Sequence, residues 1–198
     1  MHTPARDEIT GLVLAGGRAT RMGGVDKGLV ESRGRPLIEA VIERLRPQVG
    51  PILISANRNI GTYRGFGYPV LLDADDGLEP FPGPLAGVLA GLRAASTAWV
   101  AVVPCDAPLF PADLVIRLAD ALGAGHAAVA CAGEKIEPVF CLLHADLAGD
   151  LAAALAHGER RAGAWLRGIG AARAEFPLPE SFANLNTLLE VHAHDGRQ

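Results

Sequence analysis

Only three cysteines occur in the 198 residues, Cys105, Cys131 and Cys141. They form no CxxC pair and no Cys/His grouping with zinc spacing, which excludes a disulfide framework and a cysteine-built zinc site of the usual kind. Such thiol usage fits a reducing compartment, and a cytoplasmic location is expected. The sequence also lacks any apolar run near the ~18 residues that a membrane span needs. Its first residues, Met1 to Glu8, form a short polar lead that does not read as a signal peptide. Positive charge is not in excess, for the formal net charge is -4 and the pI about 5.8. This argues against a general nucleic-acid or membrane-surface binder. Any bound phosphates fall to a few local cations and to backbone N–H groups. The six histidines, His2, His126, His144, His157, His192 and His194, show no ligand spacing and are assigned no role.

What is present is apolar and glycine-rich. Hydrophobic residues make up 49% and mean hydropathy is +0.24, enough to bury a core. The 24 glycines and 14 prolines lie between apolar runs, as loops of an α/β fold do. Ile9 to Leu14, Pro51 to Ala56, Val70 to Leu72, Trp99 to Val103, Ala127 to Cys131 and Val139 to Leu143 read as strands. Trp99 to Val103 is the most apolar and should be central. Pro36 suits the first turn of a helix that carries Leu37, Ile38, Val41, Ile42 and Leu45 on one face. Gly83-Pro84 opens a second helix and Pro111 a third, which runs to about Leu122. Asp146 to about His157 and Ala162 to Leu166 are helical as well. The alternation predicts a single-domain, doubly wound α/β fold, with a mostly parallel sheet and helices on both faces.

In such folds the ligand crevice lies at the carboxyl ends of the strands. The first strand is followed by a loop from Leu14 through Ala15, Gly16 and Gly17 to Asp26 and Lys27. Its glycines let successive N–H groups converge on phosphate oxygens, and Arg18, Arg21 and Lys27 add positive charge. The loop is not a Walker A sequence, because Lys27 follows Asp26 and Gly28 replaces the Ser/Thr. The second strand ends in Ser55-Ala56-Asn57-Arg58 and the third in Asp73. Either could be turn chemistry or a nucleoside contact. Pro104-Cys105-Asp106 ends the central strand. An acid at that place suits a hard divalent ion shared with substrate phosphates. Cys105 reads as a small buried residue. Gly158-Glu159-Arg160-Arg161 joins two helices, and Asn184-Leu185-Asn186-Thr187 resembles an N-cap.

The pattern L-A-G-G-x3-R-M-G-G-x-D-K from Leu14 to Lys27 resembles the signature loop of pyrophosphorylase-like nucleotidyltransferases. With Asn57-Arg58, Asp73, Gly83-Pro84-Leu85-Ala86-Gly87, Pro104-Cys105-Asp106, G-E-R-R and N-x-N-T, the chain resembles the molybdenum cofactor guanylyltransferases over nearly its whole length. That resemblance implies transfer of GMP from GTP to molybdenum-molybdopterin, with Mg²⁺ and release of pyrophosphate. It implies that Leu14, Ala15, Gly16, Gly17 and Lys27 hold GTP, and that Ser55, Asn57 and Asp73 meet the nucleoside. Gly83, Pro84 and Leu85 would line the base pocket. Asp106 would bind magnesium, joined by Asn186. Lys27, Arg21 and Asp106 would be catalytic, and Glu159, Arg160 and Arg161 would face the pterin. Residues 9–125 would then form a nucleotide-binding part and 126–198 a pterin part. Transient contact with pterin-delivering and molybdoenzyme-maturation proteins is implied too. Two departures stand out: Ser55 where relatives often have Asn, and Leu188-Leu189 where Pro and an acid usually follow. Relatives that use CTP tend to have L-A-A-G and a different residue before the metal aspartate, so Gly17 and Cys105 lean toward guanine. A cytidylyltransferase of the same cofactor, another small-molecule nucleotidyltransferase and a non-catalytic nucleotide sensor stay open as alternatives.

Overall fold

Ile9–Leu14 forms β1, buried at every position because both faces are covered. The structure, a computed structural model, describes residues 3–15, 26–73, 83–177 and 179–184. A hairpin of β2 (Glu31–Ser32) and β3 (Arg35–Pro36) follows, then helix α1 (Leu37–Leu45). Next come β4 (Ile52–Ser55), the short α2 (Ile60–Arg64), β5 (Val70–Leu71), α3 (Pro84–Ala94) and β6 (Trp99–Pro104). The chain continues through α4 (Leu114–Ala121), β7 (Ala127–Ala132) and β8 (Lys135–His144). It reaches α5 (Ala148–Ala156), α6 (Ala162–Gly168) and β9 (Ala172–Glu175).

The main sheet has seven strands in the order β5-β4-β1-β6-β8-β7-β9. β6 is fourth of the seven, so the most apolar run is the central strand as expected. Only β8 runs against the others, pairing antiparallel with both β6 and β7. The sheet is therefore mostly parallel. α1 and α4 pack on one face through Ile38, Val41, Leu45, Leu114 and Leu118. α3, α5 and α6 cover the other through Leu85, Leu89, Leu151, Leu155 and Trp165. The five apolar residues that define the α1 face are all buried. This is the doubly wound arrangement, and its crevice should open at the carboxyl ends.

Several boundaries differ from the sequence reading. α4 starts at Leu114 rather than Pro111, because the Leu114 N–H bonds back to the Pro111 carbonyl in a separate turn (3.1 Å). β8 begins at Lys135, four residues before Val139. A 3-10 turn, Ala145–Leu147, precedes α5. Among the described residues, no helix is long and apolar enough to cross a membrane.

Candidate active site

Four parallel strands end side by side. Leu14 of β1 is in register with Ser55 of β4 and Pro104 of β6, and Ser55 is in register with Leu71 of β5. The ladder runs one step further, because the Ala15 N–H bonds to the Ser55 carbonyl (2.8 Å) and the Cys105 N–H to the Leu14 carbonyl (3.0 Å). Ala15, Ala56, Cys105 and the residues that follow them thus share one rim. Leu14, Ala15 and Ser55 are buried there and fix its floor.

On this rim Lys27 meets Asp106, with Nζ 3.1 Å from Oδ2. Seventy-nine residues of sequence separate them. The Asp106 side chain is 9% exposed and the Lys27 side chain 32%. The acid is thus set into the protein, while its cation reaches toward solvent. The contact uses Oδ2, and among the described residues nothing pairs with Oδ1. Burying an unpaired carboxylate is costly, so Lys27 stabilises Asp106 until a ligand arrives.

What aims Lys27 is a second acid, Asp26, only 7% exposed. The Tyr63 hydroxyl donates to its Oδ1 at 2.5 Å, and the Asn59 amide donates to its Oδ2 at 3.1 Å. Each oxygen therefore accepts a hydrogen bond, which commits Asp26 to holding Tyr63 and Asn59 in place. Lys27–Leu29 then makes a tight 3-10 turn, closed by the Leu29 N–H on the Asp26 carbonyl (3.0 Å). Gly28 is demanded by packing. A Cβ there would lie 2.8 Å from the Tyr63 hydroxyl oxygen and 3.0 Å from Cys105 Sγ. Burial pushes the Tyr63 hydroxyl and the Cys105 thiol well above their ordinary values, so both stay protonated. Cys105 is then packing, as expected, and no nucleophile. Tyr63→Phe should remove a hydrogen bond to a buried carboxylate. The expected cost is about 1.5–3 kcal/mol, measured by urea unfolding with unchanged m-value. Wild-type stability in that variant would mean that Tyr63 does not hold Asp26.

Ser55, Asn57 and Asp73 also converge. The Asp73 N–H donates to Asn57 Oδ1 (3.0 Å), and Ser55 Oγ lies 3.4 Å from Asp73 Oδ1, a long contact. Burial raises the Asp73 carboxyl, and the Asn57 and Ser55 side chains only partly pull it back. A carboxylate so placed gains from a further donor such as a ribose hydroxyl or a purine amino group.

Gly83 caps α3 with a φ of 96°, a value that favours glycine. A Cβ at Gly83 would lie 3.4 Å from the Arg160 carbonyl oxygen. The Gly83-Pro84-Leu85 turn and the Glu159-Arg160-Arg161 segment are thus neighbours, with Leu85 buried beneath. Glu159 Oε1 accepts the N–H groups of Arg160 and Arg161, both at 2.9 Å. These backbone bonds hold its carboxyl below the usual carboxylate range. Arg160 donates from Nη1 to the carbonyls of Leu155 (2.7 Å) and Glu159 (2.9 Å), which ties the end of α5. Arg161 points outward with 83% of its side chain exposed. Gly16, Gly17, Arg18, Arg21 and Asn186 lie outside the described residues.

The site thus unites Leu14, Ala15, Lys27, Ser55, Asn57, Asp73 and Asp106 at one set of strand ends. Sequence reasoning missed Tyr63 and Asn59 as positioning residues. The one available signal was Asp26 itself, an acid inside a loop otherwise rich in cations.

The family model for the MobA-like NTP transferase domain matches residues 11–174. A molybdenum cofactor guanylyltransferase of Serratia proteamaculans is 51% identical over 183 residues, covering 91% of each chain. One from Cupriavidus pinatubonensis is 45% identical over 198 residues, covering 96% of this chain and 98% of its own. Among solved structures, molybdopterin-guanine dinucleotide biosynthesis protein A of Archaeoglobus fulgidus superposes with a TM-score of 0.72. At 22% identity, covering 94% of this chain and 96% of that one, it speaks to the fold alone. The chain belongs to the MobA-like NTP transferase domain family and, within it, to the molybdenum cofactor guanylyltransferases.

Proposed function

We propose that this chain transfers GMP from GTP to molybdenum-molybdopterin and releases pyrophosphate. The observation that carries the reading is the Lys27–Asp106 pair at the mouth of the sheet, 3.1 Å apart. The attacking group is the terminal phosphate of the pterin. A phosphate monoester is mostly dianionic at pH 7, with a second pKa of about 6, so no general base is needed. Its oxygen bonds to the α-phosphorus of GTP, and the bond from that phosphorus to the β-phosphate bridge breaks. Pyrophosphate leaves with the electron pair. The task left to the protein is to bring two anions together and neutralise them.

The residues present fit a magnesium ion. Asp106 offers one hard oxygen donor beside an open rim, Asp26 is engaged with Tyr63 and Asn59, and the thiol of Cys105 stays protonated. One carboxylate plus substrate phosphates is how this ion is usually held. Asp106 would hold it, with Asn186 as second protein ligand, and the ion would supply charge neutralisation between the two phosphates. Lys27 stabilises charge that builds at the α-phosphate. Arg21, with Arg18, holds the departing pyrophosphate, and the Leu14–Gly17 backbone cradles the triphosphate.

Asn57 and Asp73 contact the nucleoside, with Ser55 behind them, and Gly83-Pro84-Leu85 lines the base. Arg160 shapes the pterin side by capping α5 and Glu159 by holding the N–H groups of Arg160 and Arg161, and Arg161 offers its exposed guanidinium to that substrate. Asp73→Ala should raise the KM for GTP more than it lowers kcat. The reverse split in steady-state kinetics would argue against a nucleoside contact. Thermal unfolding with GTP, CTP, ATP and UTP, each with Mg²⁺, tests base choice, because a ligand stabilises the folded state by mass action. GTP should give the largest shift, and a larger one with CTP would overturn guanine preference.

A further inference from the structure

At the other end of the sheet, two histidines and an aspartate meet in a place the transfer reaction does not use. His126 immediately precedes β7 and His144 closes β8. The antiparallel register pairs Ala127 with Leu143, and the His144 N–H donates to the His126 carbonyl at 2.8 Å. Their rings therefore stand side by side, with centroids 5.1 Å apart. The 3-10 turn after β8 brings Asp146 over them, and the Ala145 N–H anchors that turn to the Ala98 carbonyl (2.8 Å). Asp146 Oδ2 lies 2.8 Å from His126 Nδ1, and Oδ1 lies 2.8 Å from His144 Nδ1. Trp99 meets the His144 ring edge-on at 4.8 Å, which restricts its rotation.

We propose that His126, His144 and Asp146 form a binding site for a first-row divalent transition ion of the zinc type, separate from the nucleotide site. One ligand atom from each residue lies within 4.8 Å of the other two. Zinc bound to nitrogen at ~2.0–2.1 Å in a tetrahedral site spaces its ligands by roughly 3.3 Å. The carboxylate must then withdraw from each ring by about half an ångström, and ligand atoms up to 4.8 Å apart must close by as much as ~1.5 Å, which side-chain rotation supplies. All three side chains are exposed enough to move and to exchange an ion, at 58%, 30% and 48%. Water completes the coordination.

Donor chemistry separates the two sites. Imidazole suits zinc, nickel and cobalt, whereas Mg²⁺ prefers oxygen alone. Position separates them as well. His144 is in register with Trp99, the first residue of β6, while Asp106 lies two residues past the last. At ~3.3 Å per residue, that strand puts about 20 Å between the sites. A bound ion ties the entry to β7 and the end of β8 to the turn that leads into α5. It thus clamps the antiparallel corner of the sheet.

The test uses the full-length protein after metal stripping, with Zn²⁺ followed by calorimetry and Co²⁺ by visible absorption. We expect one equivalent of Zn²⁺ bound in the micromolar range, unaffected by millimolar Mg²⁺. His126→Gln and Asp146→Asn should each weaken binding at least ~10-fold, since even an outer partner of a metal ligand is worth ~10–100-fold. Asp106→Asn should leave zinc affinity unchanged, which keeps this outcome independent of the transfer mechanism. His126 is largely exposed, so His126→Gln should melt with the metal-free wild type. Zinc binding no tighter than millimolar would overturn the proposal. So would equal affinity in wild type, His126→Gln and Asp146→Asn.

Discussion

Asp106→Ala is expected to abolish GMP transfer while GTP still binds at reduced affinity. Asp106 and Asp26 are the charged residues buried on the described rim, and Asp26 has both oxygens occupied by Tyr63 and Asn59. Among the described carboxylates of the rim, Asp106 is the one beside Lys27, while Asp73 lies with Ser55 and Asn57 on the proposed nucleoside side. A loss of at least ~10³ in kcat corresponds to about 4 kcal/mol of barrier at 1.36 kcal/mol per tenfold. On the proposed reading GTP would keep its backbone cradle and its nucleoside contacts, so binding should survive. The fold should survive too, because Lys27 is one-third exposed and can return its charge to water. Asp106→Asn keeps the volume and removes the charge, and it should lose turnover almost as fully. The measurement is single-turnover transfer at saturating GTP beside equilibrium GTP binding. Unchanged turnover in either variant would remove Asp106 from the metal role.

Lys27→Ala is expected to cost 10²–10³ in rate, the order seen when one preorganised donor to a transition state is removed. The ammonium is already directed at the rim before substrate arrives, because the buried Asp26 and the tight turn over Gly28 fix its backbone. Such preorganisation means that little must reorganise during the reaction. Lys27→Arg should restore only part of the rate. A planar guanidinium cannot occupy the same point beside Asp106 Oδ2 as a compact ammonium. The effect should fall on kcat more than on GTP affinity. A Lys27→Ala rate equal to wild type would mean that the loop assignment is wrong.

Much of this site was legible in the sequence because one geometric rule covers it. Apolar runs marked β1, β4 and β6, and the residues after them, Lys27, Asn57 and Asp106, belong to one rim in the structure. α1 was legible from its periodicity, and all five apolar residues chosen for its face are buried. Short elements were not. α2 spans five residues with Tyr63 alone buried, and β9 buries one residue of four, so neither gives a periodic signal. The reversal of β8 was invisible, since alternation of side chains carries no direction. Contacts between distant residues escaped as well. Tyr63 reaches Asp26 across 37 residues, which no local pattern encodes. The histidine pair joins only through antiparallel register, so a search for close ligand spacing passed it over. Glu159 and Arg160 read as a charged junction in sequence, and folding turns Arg160 into a cap of α5 and Glu159 into an acceptor for the N–H groups of Arg160 and Arg161. That is a structural use that leaves Arg161 the outward-facing group of the three.

The most direct measurement is transfer from GTP labelled at its α-phosphate, in the presence of Mg²⁺ and molybdenum-molybdopterin. The account expects the label in a pterin dinucleotide, with one pyrophosphate released per product, and expects Asp106→Asn to stop both. Label recovered only as free guanine nucleotide, or transfer that continues unchanged in Asp106→Asn, would contradict it.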